Sequence, residues 1–573
     1  MKYPENKIRQ MKYVFLLILG ISCNIGFSQG TKKVQFVGGA RSLVSHSNFS
    51  SEQEDTVTSP RSTGGYALID LGVKINPNKQ TEILGMVRIN NAFGGFWGGG
   101  VNFDVRQLHV KGVAGNILRY QIGNIDYKLT PYTFYNHNAD LLVSTFATTR
   151  IKEDVLNYES FFGNNTWRRQ GAAINFALQF PKVVDEIDFN GFITRMNPTN
   201  LGDILERLQG GGNMVLSNKK YFDLGFNHVS IFDLQGTATN ENAYRNNVSS
   251  MTYDLHLQKA KYTIGLDGES GISSTFTVEN NENKLADYFV HTRAYFNLTE
   301  KNLGFELGYM DNGPDFRSFG AQTKRVNFDQ ANNFYTRYTN EQVERPISVY
   351  DLYNDPTLYS NNIVTGIMSY NPVVNNALPY GIATFNRRGI YAGVNYADSS
   401  KIVETNARYY YLQEIRGQGT LALKNFHYLN GTVRFNLSNL TKWKKSESLQ
   451  VGLAYQQTKR SSDLSFENIN LNSLTANVGV ELEVVKNLFV LGNVFIMNGS
   501  GNEILPERDS EGTIINYQNY SVDGSETNIS GGLRFNFSED VYLAGIYETN
   551  SNTFIVDRNY TYNQFMVYYI MKF

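Results

Sequence analysis

The chain ends on the segment Phe565–Phe573, which reads FMVYYIMKF. Every second residue of this segment is apolar or aromatic: Phe565, Val567, Tyr569, Met571 and Phe573. Successive side chains of a β-strand point to opposite faces, so these residues would form one continuous apolar stripe. The segment therefore predicts a closing β-strand, which by itself fits either a secreted β-sandwich or a barrel.

The same alternation recurs along the chain. In Ala67–Ile75 the odd positions are all apolar, whereas the even positions include Asp70 and Lys74. Similar patterns occupy 172–180, 251–258, 429–437 and 476–484. A sandwich also alternates, but its strands are shorter, and few sandwiches repeat the pattern through most of a chain of 573 residues. The alternation therefore favours a large antiparallel sheet.

The connections between these segments fall into two classes. Tight polar turns, such as 76–79, 217–220, 398–401 and 538–540, join consecutive strands. Longer polar segments separate the pairs, near 49–62, 128–165, 198–209, 276–285, 314–386 and 500–525. Barrels that cross a membrane have short turns on one side and longer loops on the other. A sandwich has no reason to segregate its loop lengths in this way.

The number of alternating segments predicts about 22 strands. Because strands are easily missed or divided in a single sequence, any number from about 16 to 22 fits the pattern. An even number returns both ends of a barrel to the same side. The alternation breaks around Gln107 and Leu108, which predicts a β-bulge. Only Asp203–Gln209, within a loop, suggests a helix.

In its closing strand, alternation and loop pattern, the chain resembles outer-membrane β-barrel proteins of Gram-negative bacteria. The Tyr- and Asn-rich composition, with Gly26-Phe27-Ser28-Gln29 near the amino terminus, resembles barrels of the Bacteroidota. The resemblance implies short periplasmic turns, long extracellular loops and a porin-like architecture. TonB-dependent transporters, a 22-stranded class, carry an amino-terminal plug domain, and no comparable segment is expected before the first strand.

Composition agrees with a barrel that has a wet interior. Aromatic residues make up 13% of the chain, with 37 Tyr and 37 Phe, while the mean hydropathy is −0.35. An aromatic-rich but half-polar chain suits a lipid-facing exterior around a polar lumen. The net charge of −1 gives no electrostatic reason to expect nucleic-acid binding.

Residues 1–28 are expected to be a signal peptide. Basic residues precede the apolar stretch Val14–Leu19, which is too short to span a membrane, and Gly26-Phe27-Ser28 supplies small residues before the predicted cleavage point. Cys23, the only cysteine, is either a lipid acceptor or is removed with this segment. If it is removed, disulfide and Cys-based zinc sites are excluded. Residues 29–573 are expected to form the barrel in the outer membrane.

Charged side chains fall on the predicted inner face of several strands. The candidates for lumen lining and selectivity are Asp254, His256, Asp267, Glu269, His291, Arg293, Glu306, Arg408, Arg434, Glu481, Glu483 and Arg534. Opposed acidic and basic rows would orient polar solutes and set ion selectivity. Alternatively, these residues merely solvate the lumen or join strands through salt bridges.

Two loops, near 128–165 and 314–386, are long enough to have a function of their own. A large barrel without a plug would leak, so we hypothesise that one or both loops fold inward and constrict it. Their aromatic and Arg side chains could stack on sugars or bind anions. The alternatives are a folded cap or a surface that packs against a partner protein.

The expected function is an outer-membrane porin-like channel for passive passage of small hydrophilic solutes, in contact with outer-membrane lipid. None of the seven His falls in a catalytic or metal-binding motif, so no enzyme activity, cofactor or metal is expected. The alternative is a non-conducting barrel subunit of an outer-membrane secretion or assembly complex, bound to other outer-membrane proteins. A barrel enzyme that acts on lipids is a third, more distant reading.

Overall fold

The computed structural model describes residues 33–51, 61–92, 101–135, 137, 145–159, 167–180, 183–197, 205–238, 243–277, 285–324, 326, 358, 363–364, 366–441, 445–508, 514–554 and 559–573. The predicted signal peptide, residues 1–28, and Cys23 lie outside the described residues.

The described residues form 22 antiparallel strands in one sheet. The strands are β1 Val34–Ser51, β2 Arg61–Asn78, β3 Thr81–Ala92, β4 Val101–Ala114, β5 Leu118–Tyr127, β6 Trp167–Gln179, β7 Glu186–Asn197, β8 Glu206–Asn218, β9 Phe222–Leu234, β10 Tyr244–Gln258, β11 Tyr262–Thr277, β12 Leu285–Leu298, β13 Leu303–Asn312, β14 Arg387–Ala397, β15 Val403–Gln413, β16 Asn425–Asn436, β17 Glu447–Arg460, β18 Ile469–Val485, β19 Leu488–Arg508, β20 Ile514–Asn536, β21 Val541–Asn552 and β22 Tyr560–Lys572. Each strand pairs with the next, and β22 pairs back with β1. The predicted closed barrel and its strand number are confirmed.

The closing strand has the two faces that its sequence predicts. Lys572 lies opposite Gly39, and Gly38 and Phe573 exchange backbone hydrogen bonds of 2.8 and 3.0 Å. Phe565 is 49% exposed, whereas its neighbour Met566 is fully buried. The odd-numbered apolar stripe therefore faces outward, and β22 closes the sheet without leaving a free edge.

Large apolar side chains cover the outside of the barrel. Examples spread around the sheet are Ile69, Leu71, Val87, Phe103, Ile174, Leu255, Leu266, Leu307, Tyr409, Leu453 and Leu533, all exposed. A closed sheet satisfies its own backbone hydrogen bonds, and an apolar surface of this extent requires lipid. The molecule is built as an outer-membrane β-barrel, which confirms the expected location.

The two ends of the barrel differ. The turn end carries short connections, such as the one between Asn78 and Thr81. The loop end carries the two long segments, 128–166 between β5 and β6 and 313–386 between β13 and β14. Tyr127 lies opposite Trp167, and Asn312 lies opposite Arg387, so each long segment leaves and re-enters the sheet at one cross-strand pair.

The helices among the described residues are short and lie in the connections. They are α1 Thr148–Glu159, α2 Phe319–Gln322, α3 Pro372–Asn375 and α4 Leu437–Thr441, with 3-10 turns at Thr299–Lys301, Gly381–Ala383 and Ser465–Glu467. No helix among the described residues is long and apolar enough to cross a membrane.

Some predicted elements need correction. The loop expected near 500–525 is wrong, because β19 and β20 continue as a hairpin in which Ile504 lies opposite Asn519. Residues 515–519 of β20 are all exposed, so this part of the hairpin lacks the alternation that marks a strand. The helix suggested at Asp203–Gln209 is also wrong, since β8 begins at Glu206. The expected bulge is confirmed: Arg106 has no opposite residue where the register of β3 and β4 shifts.

Candidate lumen site

Four of the predicted lumen residues join in one ionic network on the inner wall. Arg293 donates through Nε to Asp267 Oδ1 at 3.0 Å and through Nη1 to Glu306 Oε2 at 2.9 Å. Arg408 donates through Nε to the other carboxylate oxygen of Glu306. Gly393 lies opposite Arg408, and a Cβ there would overlap the Glu306 carboxylate. The missing side chain thus lets these residues reach each other across β11 to β15.

An acidic row adjoins this network. Asp254 lies opposite Asp267 on one side and Asp223 on the other. Tyr295 Oη donates to Asp254 Oδ1 at 3.0 Å, and His256 Nδ1 lies 3.4 Å from the same oxygen. Within the described residues, neither Asp223 nor Asp254 pairs with Lys or Arg. Asp223 was not among the predicted lumen residues, although it also falls on an inward position of its strand.

These groups line a chamber of about 540 Å³ near the turn end. Its polar lining comprises Asp254, Asp267, Arg293, Glu306 and Arg408, together with Tyr295, Asn297, Asn395, Asn406 and Asn430. Asn297, Asn395 and Asn406 are exposed, so the chamber is open to water inside the barrel. These amides were not predicted as site residues, because an uncharged polar residue on an inward position has no pattern that marks it as functional.

A row of aromatic side chains lies deeper in the barrel than this chamber. His291 Nε2 and Tyr391 Oη are 2.8 Å apart, so the predicted His291 contacts the row. The ring centroids of Tyr391 and Tyr410 are 5.0 Å apart, and those of Tyr410 and Tyr428 are 5.9 Å apart. Leu378, from the long segment 313–386, packs in the same cluster. The row therefore lies between the open chamber and packed loop residues.

The structure places Glu269 and Glu483 away from the chamber. Glu269 is buried and accepts hydrogen bonds of 2.6 Å from Ser250 Oγ and from Thr130 Oγ1, which belongs to the long segment 128–166. Glu483 accepts from the backbone N–H groups of Ser446 at 3.0 Å and Asn487 at 2.9 Å. Glu269 thus anchors a loop, and Glu483 stabilises the turns at the end of the barrel.

The remaining predicted residues lie on another part of the wall, around α1. Glu481 accepts hydrogen bonds from Arg534 and, at 3.2 Å, from Arg150 of α1. The Arg434 guanidinium lies 5.5 Å from the ring centroid of Phe146, just before the helix. Apart from His291, Glu269 and Glu483, the predicted residues therefore divide between the chamber region on β10–β16 and this helix-binding wall.

The helix α1 lies inside the barrel. Phe146 and Ile151 pack in a cluster with Leu491, Ile546 and Met566 from the inner wall. The side chains of Lys152 and Glu548 form an ion pair in which they are 4% and 0% exposed.

At the other end of α1, Tyr158 donates to Asp70 on β2. Burial and this hydrogen bond raise the pKa of Tyr158 to about 12, which keeps it protonated as a donor.

The second long segment also packs inside the loop end. Arg317 N donates to Ser273 Oγ at 2.9 Å, near β11. Asn376 Nδ2 donates to Thr458 Oγ1 at 2.8 Å, on β17. Tyr135 N donates to Gly320 O at 3.0 Å, which joins the two long segments to each other. The segment 313–386 therefore contacts well-separated parts of the wall.

No group of three or more His, Cys, Asp or Glu in the described part of the chain is arranged to hold a metal ion.

Comparison with known proteins gives structural matches only. No family model matches the sequence. No curated protein matches it.

A BenF-like porin from Pseudomonas fluorescens Pf-5 is 8% identical, with 95% of this chain and 99% of that chain covered and a TM-score of 0.34. Pseudomonas aeruginosa OpdK, solved with vanillate, is 9% identical, with 94% and 99% covered and a TM-score of 0.36. Acinetobacter baumannii OccAB4 is 9% identical, with 95% and 99% covered and a TM-score of 0.31. Identities and scores this low transfer neither a substrate nor an activity to this chain.

Proposed function

We propose that this protein is an outer-membrane porin-like channel for the passive passage of small hydrophilic solutes. The observation that carries the proposal is the water-exposed polar chamber of about 540 Å³ on the inner wall of a closed barrel. Charged and amide side chains replace part of a solute's hydration, which lowers the cost of leaving bulk water. In this proposal, residues 1–28 direct export and are removed.

The charged residues of the chamber set its selectivity. Asp254 and Asp267 of the chamber continue into an acidic row with the adjoining Asp223, whereas Arg293 and Arg408 are held by carboxylates. The wall therefore disfavours anions relative to cations and neutral solutes. Glu269 and Glu483 act on the fold instead, by anchoring a loop and a turn.

The two long segments restrict the passage. Contacts of α1 with Glu548 and Asp70, and of Asn376 with Thr458, support a location of both segments inside the wall. A solute that crosses the barrel passes beside them or requires them to move.

The alternative function is a non-conducting subunit of a larger outer-membrane complex. One observation favours it: Tyr132, Phe134, Phe316, Phe319 and Tyr380 from the long segments are buried near the loop end. A packed loop end of this kind suits a docking surface for another outer-membrane protein.

Replacing 313–386 with a short Gly-Ser turn distinguishes the channel from the non-conducting subunit. Because Asn312 lies opposite Arg387, the turn closes a hairpin without shifting the register. We expect small, defined conductance steps for the natural chain in planar bilayers and several-fold larger steps for the shortened one.

The matched control shortens the hairpin of β19 and β20 by linking Ile504 to its cross-strand partner Asn519 through a two-residue Asn-Gly turn, and leaves the other loops in place. Both variants must first show the resistance to detergent and heat of a folded barrel. Folded barrels that conduct in neither form would overturn the channel and favour the structural subunit.

A further inference from the structure

The chamber near the turn end contains an aromatic ring held flat against the wall. Tyr295 on β12 lies over Gly265 on β11, where a Cβ would overlap the ring. Its hydroxyl is fixed by the hydrogen bond to Asp254. One ring face is therefore covered by the sheet, and the ring is oriented as a platform on the chamber wall.

Amide side chains surround this platform. Asn297 and Asn395 converge over Gly304, where a Cβ would overlap both carbonyl oxygens. Asn406 lies opposite Asn395 on the next strand. Each amide offers both donors and an acceptor, which is the combination that a hydroxyl group, itself a donor and an acceptor, can satisfy.

The charges of the chamber argue against a charged ligand. Arg293 and Arg408 already bind the carboxylates of Asp267 and Glu306. An anion would have to displace one of these carboxylates and would face the row that continues to Asp254. A simple cation gains from that row and from the amide oxygens, but it leaves the amide N–H donors without an acceptor. A neutral ligand with many hydroxyl groups can hydrogen-bond to the paired groups without separating them.

We propose that this chamber binds neutral, hydroxyl-rich solutes of the monosaccharide class; the proposal rests on the channel function proposed above. The C–H face of the sugar ring packs on Tyr295, and its hydroxyls bind Asn297, Asn395 and Asn406. The volume of about 540 Å³ falls within the range of roughly 300–1,000 Å³ that ligand pockets in proteins occupy.

Binding is measured on the purified full chain in detergent by titration calorimetry, with glucose, gluconate and glucosamine as probes. These probes share a six-carbon polyhydroxyl skeleton but are neutral, anionic and cationic, respectively. We expect saturable binding of glucose and at least tenfold weaker binding of gluconate. Absence of glucose binding, or tighter binding of gluconate or glucosamine, would overturn the proposal.

Variants connect the binding to these residues. Tyr295→Leu removes the platform and should weaken glucose binding at least tenfold, whereas Tyr295→Phe keeps the ring and should change it less than threefold. The double variant Asn395→Ala/Asn406→Ala should also weaken binding, which keeps the test valid if Tyr295→Leu does not fold. Tyr547→Leu, a change of an exposed tyrosine on the lipid-facing surface, is the matched control. Equal binding by Tyr295→Leu and the natural chain would contradict the site.

Conductance in bilayers separates this inference from the channel function. Conductance without glucose binding would contradict the sugar site and leave the channel function supported. Glucose binding in a folded barrel that does not conduct would support the site and overturn the channel.

Discussion

His137 lies where the two long segments contact each other. Its backbone forms an isolated parallel β-bridge with that of Lys324. Its ring also lies against Gly381, because a Cβ placed there would come within 2.7 Å of Nδ1. Burial and the neighbouring Lys324 ammonium lower the pKa of His137 to about 4. The packed segments therefore accept the neutral imidazole.

We predict that the contact between the two segments weakens as the pH falls from about 6.5 towards 4. Histidine in an undocked segment has a pKa near 6.5, so only the undocked form takes up a proton in this range. The stabilisation is fully present well above pH 6.5 and declines as the pH falls through 6.5, by roughly thirtyfold in the docking equilibrium at pH 5. Hydrogen exchange of peptides from 313–324, corrected for the intrinsic rate, measures this loss at pH 7.5 and pH 5.

The matched control is His137→Gln, which stays neutral at both pH values. Carboxylates also titrate near pH 5, but they are the same in both proteins, so the difference between the proteins isolates His137. If both lose protection equally on acidification, the pH dependence does not come from this imidazole.

Single residues show how far sequence reasoning could reach into the site. Alternation assigns Arg293, Glu306 and Arg408 to one face of their strands, and the register of the sheet makes them neighbours. Glu269 has the same local pattern, yet its partner Thr130 is 139 positions away in the sequence. A period of two gives the face of a strand but neither the depth of a residue nor the loop that covers it.

At the scale of elements, the strands were predictable and the helix α1 was not. Ile151 and Val155 have the spacing of one helical face, but Lys152 beside them is also buried. A helix inside a polar barrel buries charged groups with partners, so its amphipathic pattern is weak. Strands of the barrel face lipid on one side and the lumen on the other, which makes their pattern strong.

The docking of α1 depends on the buried ion pair between Lys152 and Glu548, and we predict that Lys152→Met releases the helix. Removing one partner leaves a buried carboxylate without its counter-charge, which costs about 3–5 kcal/mol. The undocked population should rise more than about a hundredfold. Trypsin cleavage after Arg150, which remains in the variant, reports the release.

Two further variants make this test specific. Lys152→Met combined with Glu548→Leu removes both charges and should restore resistance to trypsin. Lys261→Met breaks a pair with Glu300 in which the side chains are 75% and 65% exposed, so it should leave cleavage after Arg150 unchanged. Failure of the double variant to recover would show that Lys152 holds the helix by contacts other than this charge pair.

At the scale of the whole molecule, the barrel architecture follows from two solvents, lipid and water, that contact alternate residues of each strand. Lipid selects apolar side chains on one face of every strand, and water in the lumen allows polar ones on the other. This demand is local, so it was readable from Phe565–Phe573 and from the strands before it. The packing of the long segments inside the barrel joins distant parts of the chain, and no local pattern encodes it.

The assignment of faces predicts opposite outcomes for two neighbouring residues of β15. By alternation, the side chain of Ala407 shares the outer face of β15 with the exposed Tyr409, whereas that of Asn406 shares the lumen face with Arg408, which binds Glu306. Ala407→Arg places a charge in lipid and should lower the free energy of unfolding by about 2–4 kcal/mol if the site lies near the bilayer midplane. Asn406→Arg places the same charge in water and should lower it by less than about 1 kcal/mol. Denaturant titration in lipid vesicles measures both, and the two variants share strand, depth and added side chain. Only the solvent differs, so equal losses would mean that β15 does not separate lipid from water as the barrel requires.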